Sequence, residues 1–132
     1  MQKRHKADFF RRETAEDKVR RANQIVAAVA EAQRIPLLKT TEILGKATTD
    51  AASLIRNPAN SGNEDGVHPT PNGYFRLADA IAKRIKAEQW KPKRILCIGD
   101  SITFGAAVKG AGTAAPDAET YPGRLARELN AR

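Results

Sequence analysis

Apolar residues along the first third of the chain recur at helical spacing. Val19, Ala22, Val26, Val29 and Ala30 fall at intervals that put them on one face, so the spacing predicts a helix from Thr14 to about Gln33. Thr14 followed by Asp17 reads as its capping box, a hydroxyl and a carboxylate each answering the other's backbone N–H. Ile35-Pro36-Leu37-Leu38 is a short apolar run read as a strand, with Pro36 tolerable near its start or on an edge. A second helix is expected over Glu42 to Ile55. The Asn-, Pro- and Gly-rich stretch from Arg56 to Asn72 reads as loop.

Tyr74, Leu77, Ala78, Ile81, Ala82 and Ile85 share one face of a third helix, from about Gly73 to Gln89, which must pack on something. Trp90-Lys91-Pro92-Lys93 ends it, and the β-branched run Arg94 to Ile98 reads as a second strand. A Gly- and Ala-rich loop, Gly105 to Ala118, leads to a last helix at Tyr121 to Asn130, with Pro122 in its first turn. No internal repeat is present. Helix and strand alternate with short connections, which argues for an α/β layer fold.

Composition narrows the class. At 132 residues, 41% apolar and 29% charged, the chain reads as one soluble globular domain. No apolar run approaches the ~18 residues that span a bilayer. The basic start, Met1 to Lys6, lacks the apolar stretch of a secretory signal, so no membrane partner is expected and the compartment stays open. The single cysteine, Cys97, excludes an internal disulfide and reads as a small hydrophobe inside Ile95-Leu96-Cys97-Ile98. Net charge is +8 with pI ≈ 10.0, gathered in Lys3–Arg21 and Arg76–Arg94. Arg76, Asp79, Lys83 and Lys86 alternate with apolar residues, as on a solvated helix face. A basic nucleic-acid-binding module is the weaker reading, because no aromatic residues interleave the basic runs as stacking platforms.

Two motifs carry chemistry. In the first, Ile95 to Ile98 runs into Gly99-Asp100-Ser101-Ile102-Thr103-Phe104-Gly105. Glycine at 99 permits a sharp turn, and Ser101 would be presented at a sheet edge with its own N–H facing a ligand. Neither phosphate-loop glycine pattern is present. In the second, Asp65-Gly66-Val67-His68-Pro69 precedes Asn72-Gly73-Tyr74 and the amphipathic helix. A carboxylate three residues before an imidazole can orient the ring through Nδ1 and leave Nε2 for a hydroxyl. Asp65 also reads as a turn-forming Asx residue. His5 lies in the basic tail without a partner and reads as solvated. No metal or organic cofactor is implied, since two histidines and one cysteine show no ligand spacing.

Together these motifs resemble the GDSL/SGNH hydrolases, serine esterases in which Gly-Asp-Ser-x-Thr-x-Gly follows the first strand and Asp-Gly-x-His-Pro precedes the last helix. The resemblance implies Ser101 as nucleophile, with its backbone N–H as an oxyanion donor, His68 as general base and Asp65 as its orienting carboxylate. It implies an incomplete, helix-rich version of a flavodoxin-like three-layer fold with about two parallel strands. The implied substrate is a small ester, and an acetylated carbohydrate by likeness of Lys93 to Leu129 to the carbohydrate O-acetylesterase branch. Residues 14–90 resemble the C-terminal part of such a domain, and residues 94–132 the N-terminal part, after a basic tail at 1–13. Asn23 to Thr41 is similar to the family's penultimate helix and strand, with Lys39 where an acid is frequent.

The motif order is reversed relative to the family, and the blocks that give a glycine and an asparagine to the oxyanion hole have no counterpart. Two arrangements accommodate this: the junction of two tandem esterase domains, which is favoured, or a circular permutant without its centre. A helix descending about 25 Å and a strand climbing back about 20 Å would return His68 and Ser101 to one edge. A non-catalytic remnant of such an enzyme, or a piece of a longer hydrolase chain, is the alternative to an active esterase.

Overall fold

A computed structural model describes residues 14–130. These form six helices: α1 (Ala15–Ala32), α2 (Thr40–Leu44), α3 (Pro58–Ser61), α4 (Pro71–Ala87), α5 (Ser101–Phe104) and α6 (Tyr121–Asn130). The chain divides into two compact units, one ending at Leu37 and the other starting at Leu38. Both chemistry-bearing motifs lie in the second. The basic tail and His5 lie outside the described residues. No described helix is long and apolar enough to cross a membrane.

α1, in the first unit, starts as the capping pattern requires. The Thr14 hydroxyl accepts from the Asp17 N–H, and the Asp17 carboxylate accepts from the Thr14 N–H. Val19, Ile25, Val26 and Val29 of this helix are exposed.

In the second unit α4 is the central element, packed on α2 and on α6. Tyr74 and Leu77 on its first turns meet Leu44 and Ile55, with Ile102 and Val108 closing over them. Further along, Ala78, Ala82 and Ile85 meet Leu125 of α6, flanked by Tyr121 and Leu129. Ala78 and Ala82, four residues apart, are small enough to let α6 approach, and Leu125 is buried in the same cluster. Burying a leucine this way stabilises by about 1.5–3 kcal/mol. The Arg124 guanidinium adds a polar tie at the seam, donating to Glu128 Oε1 at 2.6 Å and facing Asp79 Oδ1 of α4 at 3.7 Å.

The α/β layer fold expected from the sequence, with its flavodoxin-like sheet and about two parallel strands, is not what forms. The described residues are all-α and contain no β-strand. Ile35–Leu38 and Arg94–Ile98 adopt no regular secondary structure and have no ladder partner; among the described residues the sole pairing is an isolated antiparallel bridge between Ile55 and Pro69. The reason is physical. β-branched and apolar residues suit a strand only when a neighbouring strand takes up the backbone groups and a layer covers the side chains. Here neither does, and Leu96 and Ile98 are each 82% exposed. Cys97 is half-buried, not enclosed in a core.

Two helix boundaries also differ. The helix expected over Glu42–Ile55 stops at Leu44, where Gly45 adopts φ 74. The stretch from Arg56, expected as pure loop, holds the short α3, started by Asn57 as its cap and Pro58 in its first turn.

Candidate active site

The loop that carries Asp65 and His68 is clasped against residues 54–56. The Arg56 N–H donates to His68 O and the Gly66 N–H to Arg56 O, each at 2.9 Å. The Thr70 N–H donates to Leu54 O at 2.9 Å. Thr70 then caps α4 by accepting from the Gly73 N–H. His68 is therefore held immediately before the N-terminus of the best-packed helix in the unit.

Within the loop one carboxylate makes both the turn contacts and the ring contact. Asp65 Oδ1 accepts from the Val67 and His68 N–H groups at 2.9 Å each, the Asx turn. The same carboxylate lies against the imidazole, with Nδ1 at 3.1 Å from Oδ1 and 3.0 Å from Oδ2. Burial by itself would raise the Asp65 carboxyl, but the His68 and Val67 N–H groups and the His68 ring outweigh it and hold it below 3.8. An ionised carboxylate only accepts, so in the neutral imidazole Nδ1 carries the proton and Nε2 is left as an acceptor.

Ser101 is the first residue of α5. The side chain of Asp100, the N-cap, accepts from the Ile102 N–H at 2.9 Å. Gly99 is required for space: a Cβ there would run into Thr103 Oγ1, whose hydroxyl bonds Tyr121 Oη at 3.0 Å. Gly105 closes α5 in the left-handed region, φ 78, and the chain turns away at once. Ser101 is exposed, and its Oγ lies 2.9 Å from His68 Nε2. The three residues singled out by motif, Asp65, His68 and Ser101, thus form one continuous hydrogen-bonded chain from carboxylate to hydroxyl, across 33 residues of sequence between its last two members.

The Ser101 N–H meets no acceptor among the described residues. Three asparagines of the second unit have their amides committed to loop carbonyls. The Asn57 amide donates to Thr48 O and Asp50 O, the Asn60 amide to Ser53 O and Ile55 O, and the Asn63 amide to Ser61 O.

Two residues to which the sequence pattern assigns no part in the site tie the serine segment to the rest. Tyr74, fully buried on α4, donates to Ala106 O at 3.4 Å. Burial, then the nearby Asp65 charge, pushes its hydroxyl up to about 12. Arg56 Nη1 donates to Ala107 O at 2.7 Å, and its Nε faces Asp65 Oδ2 at 3.7 Å. The helical spacing puts Tyr74 on the core face, where it lies buried, but its hydroxyl has no sequence signature. Arg56 had none at all.

No protein-family model matches the chain, and neither a curated protein nor a solved structure matches it.

Proposed function

We propose that the chain is a serine ester hydrolase of the GDSL/SGNH type. The observation that supports this best is the unbroken series Asp65 carboxylate, His68 imidazole, Ser101 hydroxyl, with ring contacts of 3.0 and 2.9 Å. These distances fall in the range a nucleophile and its base need. In the proposed reaction Ser101 Oγ attacks the ester carbonyl while His68 Nε2 takes its proton. Asp65 stabilises the imidazolium that forms. Collapse of the tetrahedral intermediate expels the alcohol, which receives the proton from Nε2. Water, deprotonated by the same nitrogen, then attacks the acyl-serine, and the acid leaves as Nε2 returns the proton to Ser101 Oγ.

The oxyanion would meet the Ser101 N–H. Each missing donor typically costs about 10²–10³ in turnover, so a slow esterase is expected, acting on small esters such as acetylated sugars. The asparagine amides tied to loop carbonyls favour a second reading, a remnant that retains the triad without useful turnover.

Covalent labelling by a fluorophosphonate probe tests the proposal. Labelling of the wild-type chain, abolished by Ser101→Ala and by His68→Ala, is the expected result. A wild-type chain that takes no label would leave the triad without a nucleophile.

A further inference from the structure

Arg56 touches both lengths of chain that carry the triad. Its backbone holds His68 O and the Gly66 N–H, fixing the loop on either side of the imidazole. Its side chain is 14% exposed and reaches the other way, donating from Nη1 to Ala107 O in the turn that follows Ser101. Ala107 has φ 66, a left-handed conformation that its Cβ disfavours and that needs outside contacts to persist. The Ala106 N–H in turn donates to Ser101 O at 2.9 Å. A pull on the 106–107 backbone is therefore transmitted to the serine.

The other nitrogen explains the choice of arginine. Asp65 Oδ1 is occupied by two backbone N–H groups, and Oδ2 by the imidazole. The buried Arg56 Nε stands 3.7 Å from Oδ2, beyond hydrogen-bond length, and has no other acceptor among the described residues. The guanidinium is thus a charge set beside the same carboxylate oxygen that the imidazole contacts, on a plane anchored by the bond to Ala107 O. We infer that Arg56 is a positioning residue for the triad: it fixes the carboxylate behind the imidazole and keeps the serine turn in register with it. The inference rests on the esterase reading for its catalytic consequence, but its structural half stands apart.

The test uses the full chain with Arg56→Met and Arg56→Lys. Arg56→Met should lower the fluorophosphonate labelling rate by about tenfold to a hundredfold, the size of effect that small misplacements cause, with an unchanged helical circular dichroism spectrum. Arg56→Lys restores a cation near Asp65 without the forked reach to Ala107 O and should recover part of the rate. Nitrogen NMR of the His68 ring supplies a readout that a merely structural strut would not move. The wild-type ring should carry its proton on Nδ1, and Arg56→Met should mix the two neutral tautomers. A folded Arg56→Met chain with the wild-type rate and ring spectrum overturns the inference. If the wild type takes no label, the esterase reading falls and the ring spectrum alone decides, an unaltered tautomer overturning the role of Arg56. Should Arg56→Met unfold, Arg56→Lys carries the test, and a wild-type rate with a wild-type ring spectrum is the overturning result.

Discussion

Replacing Asp65 by asparagine separates its two roles more cleanly than deletion does. Asparagine keeps one oxygen, which can go on accepting from the Val67 and His68 N–H groups, now at 2.9 Å from Asp65 Oδ1. Its amide nitrogen then stands where Oδ2 was, 3.0 Å from His68 Nδ1. Two N–H groups repel across that gap, which favours moving the ring proton to Nε2 over keeping it on Nδ1 against the retained oxygen, 3.1 Å away. There it would donate to Ser101 Oγ instead of accepting from it. The amide could escape this by flipping, but that strands two backbone donors at about 1–3 kcal/mol each. The turn therefore selects the orientation that spoils the base. A base in the wrong tautomer costs about 10⁴ in turnover, equivalent to about 5.4 kcal/mol on the barrier at about 1.36 per decade. Fluorophosphonate labelling rates, read beside circular dichroism melts, measure both effects. Asp65→Asn labelled within tenfold of wild type, in a preparation where Ser101→Ala abolishes labelling, would refute the reasoning and leave Asp65 as a turn former only.

Two further outcomes follow from the same structure. The Asp65 carboxyl is lowered in the folded chain, so its contribution to stability is whole above the unfolded value near 3.8 and is lost as pH falls through the lower folded value; acid melts of wild type should steepen there relative to Asp65→Asn, and parallel curves would contradict the assignment. Ala78→Leu should destabilise the unit by about 1–3 kcal/mol through overpacking, because Ala78 is fully buried in the seam that Leu125 fills, and urea titration checks it.

What the sequence made legible was whatever depends on near neighbours. The α1 start was readable because Thr14 and Asp17 satisfy each other within one turn. The face of α4 was readable because its apolar residues repeat at the helical interval whatever they pack against. The pairing of His68 with Asp65 could be anticipated from a spacing of three. The strands could not be judged so, since Arg94–Ile98 has a strand's composition and lacks the neighbour that would make it one. The helix after Thr40 was read too long because apolar and polar residues past Gly45 continue a plausible pattern, while the glycine's positive φ ends it. Arg56 was invisible for the opposite reason: its contacts at Asp65, His68 and Ala107 come from folding, and nothing beside it in the chain marks it.

The passage from α4 to Ser101 has one more implication. Among the described residues, none from 91 to 99 takes part in a backbone hydrogen bond. That stretch serves as a tether, while the meeting of imidazole and hydroxyl is upheld by the helix seam and by the Tyr74 and Arg56 bonds to Ala106 and Ala107. A single proteolytic nick there would convert the unit into two fragments that still hold each other, and the imidazole–hydroxyl contact with them.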